Sequence, residues 1–458
     1  MLSTLRAFAS LYRELGPRWA LFRLAYAFRL RTGIIRLQMP MGEWSDYKNL
    51  VSTNPAGRVG AAFFRSVSRP DLTNATWNPQ LAIAEADRLL NGELKYFSRQ
   101  FIQTGFPPDW HKDHVTLSGA SRHEESLPPQ SEILRSAQND MNKHWSQISD
   151  DHVVARRAKP DEAISHDEGT ASAHLPWRAA PGKTKTASHS VPFGERHHVD
   201  IKFVWEPNRF AFVYTLVRAY AATGDEKYPE AFWTLIEDWA LRNPPNTGPN
   251  WMDGQEIALR LMAWTFGFFQ FSNSPSSTPQ RIENFKLYVA AQAERIYKNI
   301  GYAISTHSNH TISEAFGLWM VGLLFPELKR AEKYLSLGKR ILEQEAKNQI
   351  FPDGSYAMYS LNYHRFILHI YLYAIRLAEL NRFPLSTHLH RAVASSIEYL
   401  SQLIDPQTGQ MPAYGSNDGA LVLPLDNCDF TDYRPLLQLG WYITKGERLF
   451  DSGDCDED

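Results

Sequence analysis

Cysteine is nearly absent: Cys428 and Cys455 are the only two among 458 residues. Two cysteines make no disulfide framework and fit a reducing, cytoplasmic setting. An excess of charge of one sign is missing too. The 48 basic residues stand against 50 acidic ones, a formal net charge of −2, so no basic field draws nucleic acid. Long hydrophobic runs are lacking. The start, MLSTLRAFASLYRELGPRWALFRLAYAFRLRTGIIRL, is broken repeatedly by arginine. It holds no apolar stretch near the roughly 18 residues of a membrane span, and no signal-peptide core with a cleavage site. It reads as two amphipathic helices packing on the main domain, with peripheral membrane contact through the arginines as the lesser alternative. No GxGxxG, P-loop or HExxH pattern occurs.

Aromatic residues, by contrast, reach 13%, with 13 Trp and 20 Tyr, and hydrophobic residues reach 43%. That is ample for a large core, and the aromatic surplus also suits a carbohydrate cleft. Three regions differ in character. Residues 1–116 hold the arginine-rich helices, a linker around SVSRPDLTNATWNP and a helix near 80–95. Residues 117–198 are polar, Pro- and Ser-rich and aperiodic, which predicts disordered insertions around a short ordered island at 143–150. From 199 to 445 helical spacing recurs near 205–222, 227–242, 252–272, 280–300, 309–325, 328–349, 360–381, 386–404 and 431–444. Turn signals such as TGDEKYP, NPPNTGP, FPDGS and DPQTGQMP separate them. ALVLPL at 420–425 is the one strand candidate, and 446–458 is an acidic tail. About ten helices joined by short loops, with no fixed repeat period, predict an all-α array, an incomplete (α/α) toroid.

Four polar clusters sit at helix starts: DIKFVWEPNRF, NWMDGQEIALR, HSNHTISEA and DGSYAMYSLNYHRF. Helix starts along one rim of a toroid line a cleft. Asn309 begins the helix whose apolar face is Ile312, Ala315, Phe316, Trp319, Met320 and Leu323. It is either an N-cap, which asparagine favours, or a ligand-binding amide. Tyr363 lies on the stripe of Phe366, Ile367, Ile370 and Ala374, as a core tyrosine or a cleft one. His364 and Arg365 fall off that stripe, where solvent would suffice for both. His307, His310 and Glu314 could align toward a metal, but without HExxH or clustered cysteine zinc is the weaker reading. Glu206, Asp253, Glu256 and Asp353 offer carboxylates for glycoside hydrolysis, which needs a pair at fixed separation.

Together DIKFVWEPNRF, TGDEKY, NPPNTGPNWMDGQEIALRLMAW, SNHTISEAFGLWMVGLLFPEL, PDGSYAMYSLNYHR and GSNDGALVLPL resemble the heparinase II/III family of polysaccharide lyases, which includes alginate-lyase-like enzymes. The resemblance covers most of 200–437, and more weakly the N-terminal helices and the 143–150 island. It implies a toroid followed by an antiparallel β-sandwich, and β-elimination on a uronic-acid-containing polysaccharide with no cofactor or metal. It implies Asn309 as the amide that stabilises charge on the uronate, Tyr363 as general acid, and His310 beside them. His310, His364 or Arg365 would lower the tyrosine pKa if it served as base. Trp251, Gln255, Glu256, Arg260, Glu206, Asn208 and Arg209 would join His364 and Arg365 in lining the cleft. The sandwich is expected where this sequence ends, at Asp458. A fragment, a frameshifted gene and a natural short form all read alike here, with the sandwich and its further catalytic histidine supplied by another chain as one option and an exposed apolar surface expected at the docking place. A catalytically silent glycan-binding toroid and a toroidal glycoside hydrolase remain open.

Overall fold

In the computed structural model the described residues are 2–52, 63, 78–112 and 201–451. All belong to the unit formed by Met1–Ala120 and His198–Asp458. The insertions and island expected within 117–198, most of the linker and the end of the acidic tail lie outside the described residues.

The fold is all-α, with helices α1 (Leu2–Arg31), α2 (Ile34–Gln38), α3 (Pro79–Leu90), α4 (Ile201–Asn208), α5 (Phe212–Thr223), α6 (Lys227–Arg242), α7 (Gly254–Gln270), α8 (Pro279–Thr306), α9 (Asn309–Leu324), α10 (Ala331–Gln349), α11 (Leu361–Leu380), α12 (Thr387–Ser401) and α13 (Arg434–Lys445). From α5 onward each helix packs on its sequence neighbour or on the next but one. The series α5, α7, α9, α11 and α13 forms one layer, and α6, α8, α10 and α12 back it. This is an incomplete (α/α) toroid. No described helix is long and apolar enough to cross a membrane.

Composition decides the layer. In α9 every residue but His310 is buried, so the apolar face read from the sequence is only part of a helix enclosed on all sides. Small residues allow this. A Cβ on Gly338 of α10 would lie 2.5 Å from Ala315 O, and one on Gly322 of α9 would lie 2.4 Å from Leu335 N, so the two backbones touch where side chains would otherwise part them. The backing helix α10 keeps a polar outer face, as a two-layer array requires.

The helix read at 205–222 is two helices. Pro207 removes an N–H from the last turn of α4, and Phe210 adopts φ 60°. Its ring is held there between Trp110, stacked at 4.9 Å, and Trp264 at 5.3 Å. The helix near 80–95 stops at Leu90, and the chain then forms an antiparallel hairpin, β1 (Glu93–Tyr96) with β2 (Gln100–Gln103). Residues 420–425 form no strand. Ala420, Val422 and Leu423 are buried in irregular chain, where no neighbouring strand offers a ladder.

The N-terminal segment breaks at Gly16, φ 80°, just before Pro17, as two helices require. It packs on α8: Trp19 donates to Ser305 O at 3.1 Å and Tyr26 to Asn299 Oδ1 at 3.4 Å. The contact lies near the end of α8, which runs to Thr306, and His307 with φ 48° turns the chain into α9.

Candidate active site

The inner helices α7, α9 and α11 present their N-termini on one rim. Asp253 caps α7: its Oδ1 accepts the N–H of Gln255 at 2.8 Å and of Glu256 at 3.4 Å. Its Oδ2 faces His310 Nδ1 at 3.3 Å. Partial enclosure pushes the His310 imidazole down, but Asp253 outweighs it and raises the pKa to about 9, so the ring carries its proton at neutral pH. Burial likewise lifts Asp253, yet His310 and the two backbone N–H groups hold that carboxyl below the ordinary range. Four residues on, Glu314 is pushed up to about 8 by burial and by Asp253. Asn309 does not cap its helix; Ser308 holds that position. Instead Asn309 Nδ2 donates to Gln255 Oε1 at 2.8 Å, which commits one of its two hydrogens.

Beside this lies a buried ion cluster. Arg209, turned out of α4 by the break at Phe210, donates through Nε and Nη2 to Glu256 at 2.6 and 2.8 Å, and through Nη1 to Glu206 at 2.8 Å. Tyr363, on the first turn of α11, donates its hydroxyl to Asp418 Oδ2 at 3.2 Å. Asp418 is also met by Lys202 at 3.4 Å and by Asn362 at 3.4 Å. Burial and then Asp418 raise the Tyr363 phenol well above its ordinary value, against the opposing pull of Arg209. Burial also lifts Asp418, but Lys202 and Arg209 more than offset it and leave the carboxyl depressed. Glu256 feels Arg209 directly and raises His310 from the other side, so the two clusters form one charge-coupled array.

A family model described as Heparinase II/III N-terminus matches residues 130–421. The chain belongs to the heparinase II/III family. It is 32% identical over 225 residues to a heparin-sulfate lyase of Bacteroides thetaiotaomicron, covering 48% of this chain and 31% of that one. It is 30% identical over 175 residues to a heparin-sulfate lyase of Pedobacter heparinus, covering 37% and 26%. The chain thus spans only 26–31% of the length of these relatives. A crystal structure of heparinase III aligns with a TM-score of 0.47 at 20% identity, over 90% of this chain and 51% of that one.

Within this family member the expected site residues divide into two sets. Asn309, His310, Gln255, Glu256, Glu206, Arg209 and Tyr363 belong to the array. Five others pack elsewhere. Trp251 is buried and donates to Asn243 O at 3.2 Å. Asn208 ties α4 to Trp110 O at 2.9 Å. Arg260, fully buried, lies 4.3 Å over the Trp239 ring and donates to Gln292 at 2.8 Å. Arg365 lies between the rings of Phe430 and Tyr433 at 4.2 and 4.3 Å. His364 is not solvated either: it stacks on Tyr356 at 5.6 Å, and burial pushes its pKa down to about 3. Neither His364 nor Arg365 acts on the Tyr363 phenol, whose pKa rises rather than falls. His307 is exposed, and the third group near His310 and Glu314 is Asp253. Of the carboxylates considered for hydrolysis, Glu206 and Glu256 are both bound by Arg209, Asp353 closes a turn onto Ser355 at 2.9 Å, and Asp253 faces His310 with the buried Glu314 beside it. Asp418 and Lys202 were missed, since neither a loop aspartate nor a lysine beyond the aperiodic region stands out by spacing.

Proposed function

We propose that the rim of α7, α9 and α11 binds a uronate residue of an acidic polysaccharide, of the heparan type that the relatives' names indicate, and supports β-elimination. The observation that carries this reading is the adjacency of Asn309 and protonated His310 at one helix start, coupled through Gln255, Glu256 and Arg209 to a protonated Tyr363. In elimination a base removes the C5 proton, the electrons form the C4–C5 double bond, and the C4–O4 bond breaks. The C5 proton is poorly acidic because its loss puts more negative charge on the uronate. The free N–H of Asn309 and the His310 cation meet that charge, and one such donor is worth about 3–4 kcal/mol in a dry site. Tyr363, raised in pKa, gives its proton to the departing O4.

The base is the role these groups do not fill at neutral pH, since His310, Tyr363 and Glu314 all hold protons. We assign it to the β-sandwich domain expected of the family, on this polypeptide or another chain. The test follows ultraviolet absorbance of unsaturated uronate, and binding of oligouronides, for wild type, Asn309→Ala and Tyr363→Phe. Absorbance that rises in wild type and drops by about 10² or more in both variants supports elimination. A flat trace with binding that Asn309→Ala abolishes supports a cleft awaiting its base. New reducing ends without unsaturated product, or no affinity for any uronate polymer, would overturn the reading.

A further inference from the structure

We propose that Asp253, His310 and Glu314 form a binding site for one divalent transition-metal ion, of the zinc or manganese kind, between the N-termini of α7 and α9. Binding the ion displaces the protons of His310 and Glu314, so the metal-bound form and the protonated form proposed to meet a uronate are alternatives, and the metal site stands whether or not the chain carries out elimination. Each residue offers one ligand atom, and these atoms lie within 4.8 Å of one another, with Asp253 Oδ2 and His310 Nδ1 at 3.3 Å. His310 and Glu314 are one helical turn apart, so both reach the same side of α9.

Glu314 supplies the second observation. It is 4% exposed, and its Oε2 has no hydrogen-bond partner. A carboxylate oxygen buried that way is costly and asks for an occupant. Its position is also built. A Cβ on Gly254 would lie 2.3 Å from Glu314 Cδ and 2.4 Å from Oε1, so the carboxylate lies against bare backbone at the start of α7, next to Asp253. A cation roughly 2.0–2.2 Å from oxygen and nitrogen ligands sets them about 3–3.5 Å apart. The cluster then contracts by about an ångström at its widest, within reach of a Glu314 side-chain rotation.

Two carboxylates with one imidazole suit zinc, manganese or cobalt better than calcium or magnesium, which take oxygen sets. The two carboxylates balance a divalent charge. Arg295 of α8 and the two helix N-termini oppose it. Arg295 Nη1 is itself without a partner, so the rival arrangement is a direct Arg295–Glu314 pair. A bound ion would set a positive charge beside Asn309 with coordination positions open to an anionic ligand.

The experiment titrates chelator-treated full-length chain with Co²⁺, followed by visible absorbance, and with Zn²⁺ by calorimetry. One saturable equivalent is expected, weakened about tenfold or more by Asp253→Asn and by Glu314→Gln, and unchanged by His307→Ala at the exposed neighbouring histidine. Both carboxylate variants are near-isosteric, and circular dichroism verifies their fold. No saturable binding, binding indifferent to both carboxylate changes, or binding lost in His307→Ala would each overturn the proposal.

Discussion

Glu206 tests whether burial or ion pairing governs the array. Its side chain is 10% exposed. Oε2 accepts from Arg209 at 2.8 Å and Oε1 from the Phe97 N–H at 2.9 Å. Despite these partners burial dominates, helped by Glu256 and Asp418, and lifts the carboxyl from an ordinary 4.5 to about 7. That displacement corresponds to roughly 3 kcal/mol. Across the same window the folded chain keeps a proton that the unfolded chain has released. Stability contributed by this group therefore falls as pH rises from about 4.5 to 7. The Glu206→Gln variant keeps the shape and does not titrate. Its stability relative to wild type is expected to improve by up to roughly 3 kcal/mol between about pH 5 and pH 8. Urea unfolding at the two pH values, read from the fluorescence of the buried Trp239, Trp251 and Trp264, measures the difference. A constant difference, or wild type gaining on the variant as pH rises, would show that the Arg209 pair outweighs burial and would refute the reasoning.

Oligouronide affinity should hold to about pH 8 and fall beyond about 9, as His310 loses its proton. His310→Gln should flatten that profile, and an unchanged profile would remove His310 from the binding role. Asp418→Asn takes away the anion that helps raise Tyr363; the phenol should then ionise at lower pH in a spectroscopic titration read against Tyr363→Phe, and no movement would break the assigned coupling. Gly338→Ala places a Cβ 2.5 Å from Ala315 O. It should destabilise by about 1–3 kcal/mol or more as α9 and α10 are forced apart, and a neutral result in urea would mean that the helices yield freely.

The helical array was legible because turn chemistry punctuates it: Gly224, in TGDEKYP, stands at a real helix boundary. What failed was geometry without a residue signature. Phe210, Phe97 and His307 take positive φ, at 60°, 50° and 48°, where a reader expects glycine or asparagine. The break between α4 and α5, the hairpin turn and the end of α8 at Thr306 were therefore hidden or misplaced, while the start of α9 at Asn309 was read correctly. The choice of cap at α9 was ambiguous because Ser308 and Asn309 are both good caps, and only the position of Gln255 shows which is free to work. Burial was misjudged on α11 because His364 and Arg365 look like surface residues. They are enclosed by aromatic rings and by segments distant in sequence, such as Phe430 and Tyr433. Asp418 was invisible for a similar reason: its role is to face Tyr363 across 55 positions.

The charge arrangement explains why the working groups gather on this rim. Consecutive helices of an (α/α) array run in opposite directions, so the inner helices α7, α9 and α11 bring their N-termini, the positive ends of their dipoles, to the same side. Gln349, at the end of α10, reaches Ser308 O from the same side at 3.1 Å. Without a ligand those ends and the cations Arg209, Lys202 and His310 are satisfied by Asp253, Glu206, Glu256 and Asp418. On the proposed function, an arriving uronate carboxylate would have to compete with Asp253 for His310. The gain from binding it is therefore modest in the ground state and grows as elimination adds negative charge, which is the differential that accelerates a reaction. The same balance keeps protons on His310 and Tyr363. On the proposed reading the described rim can absorb negative charge and donate a proton, and none of His310, Glu314 and Tyr363 is free to take the C5 proton at neutral pH.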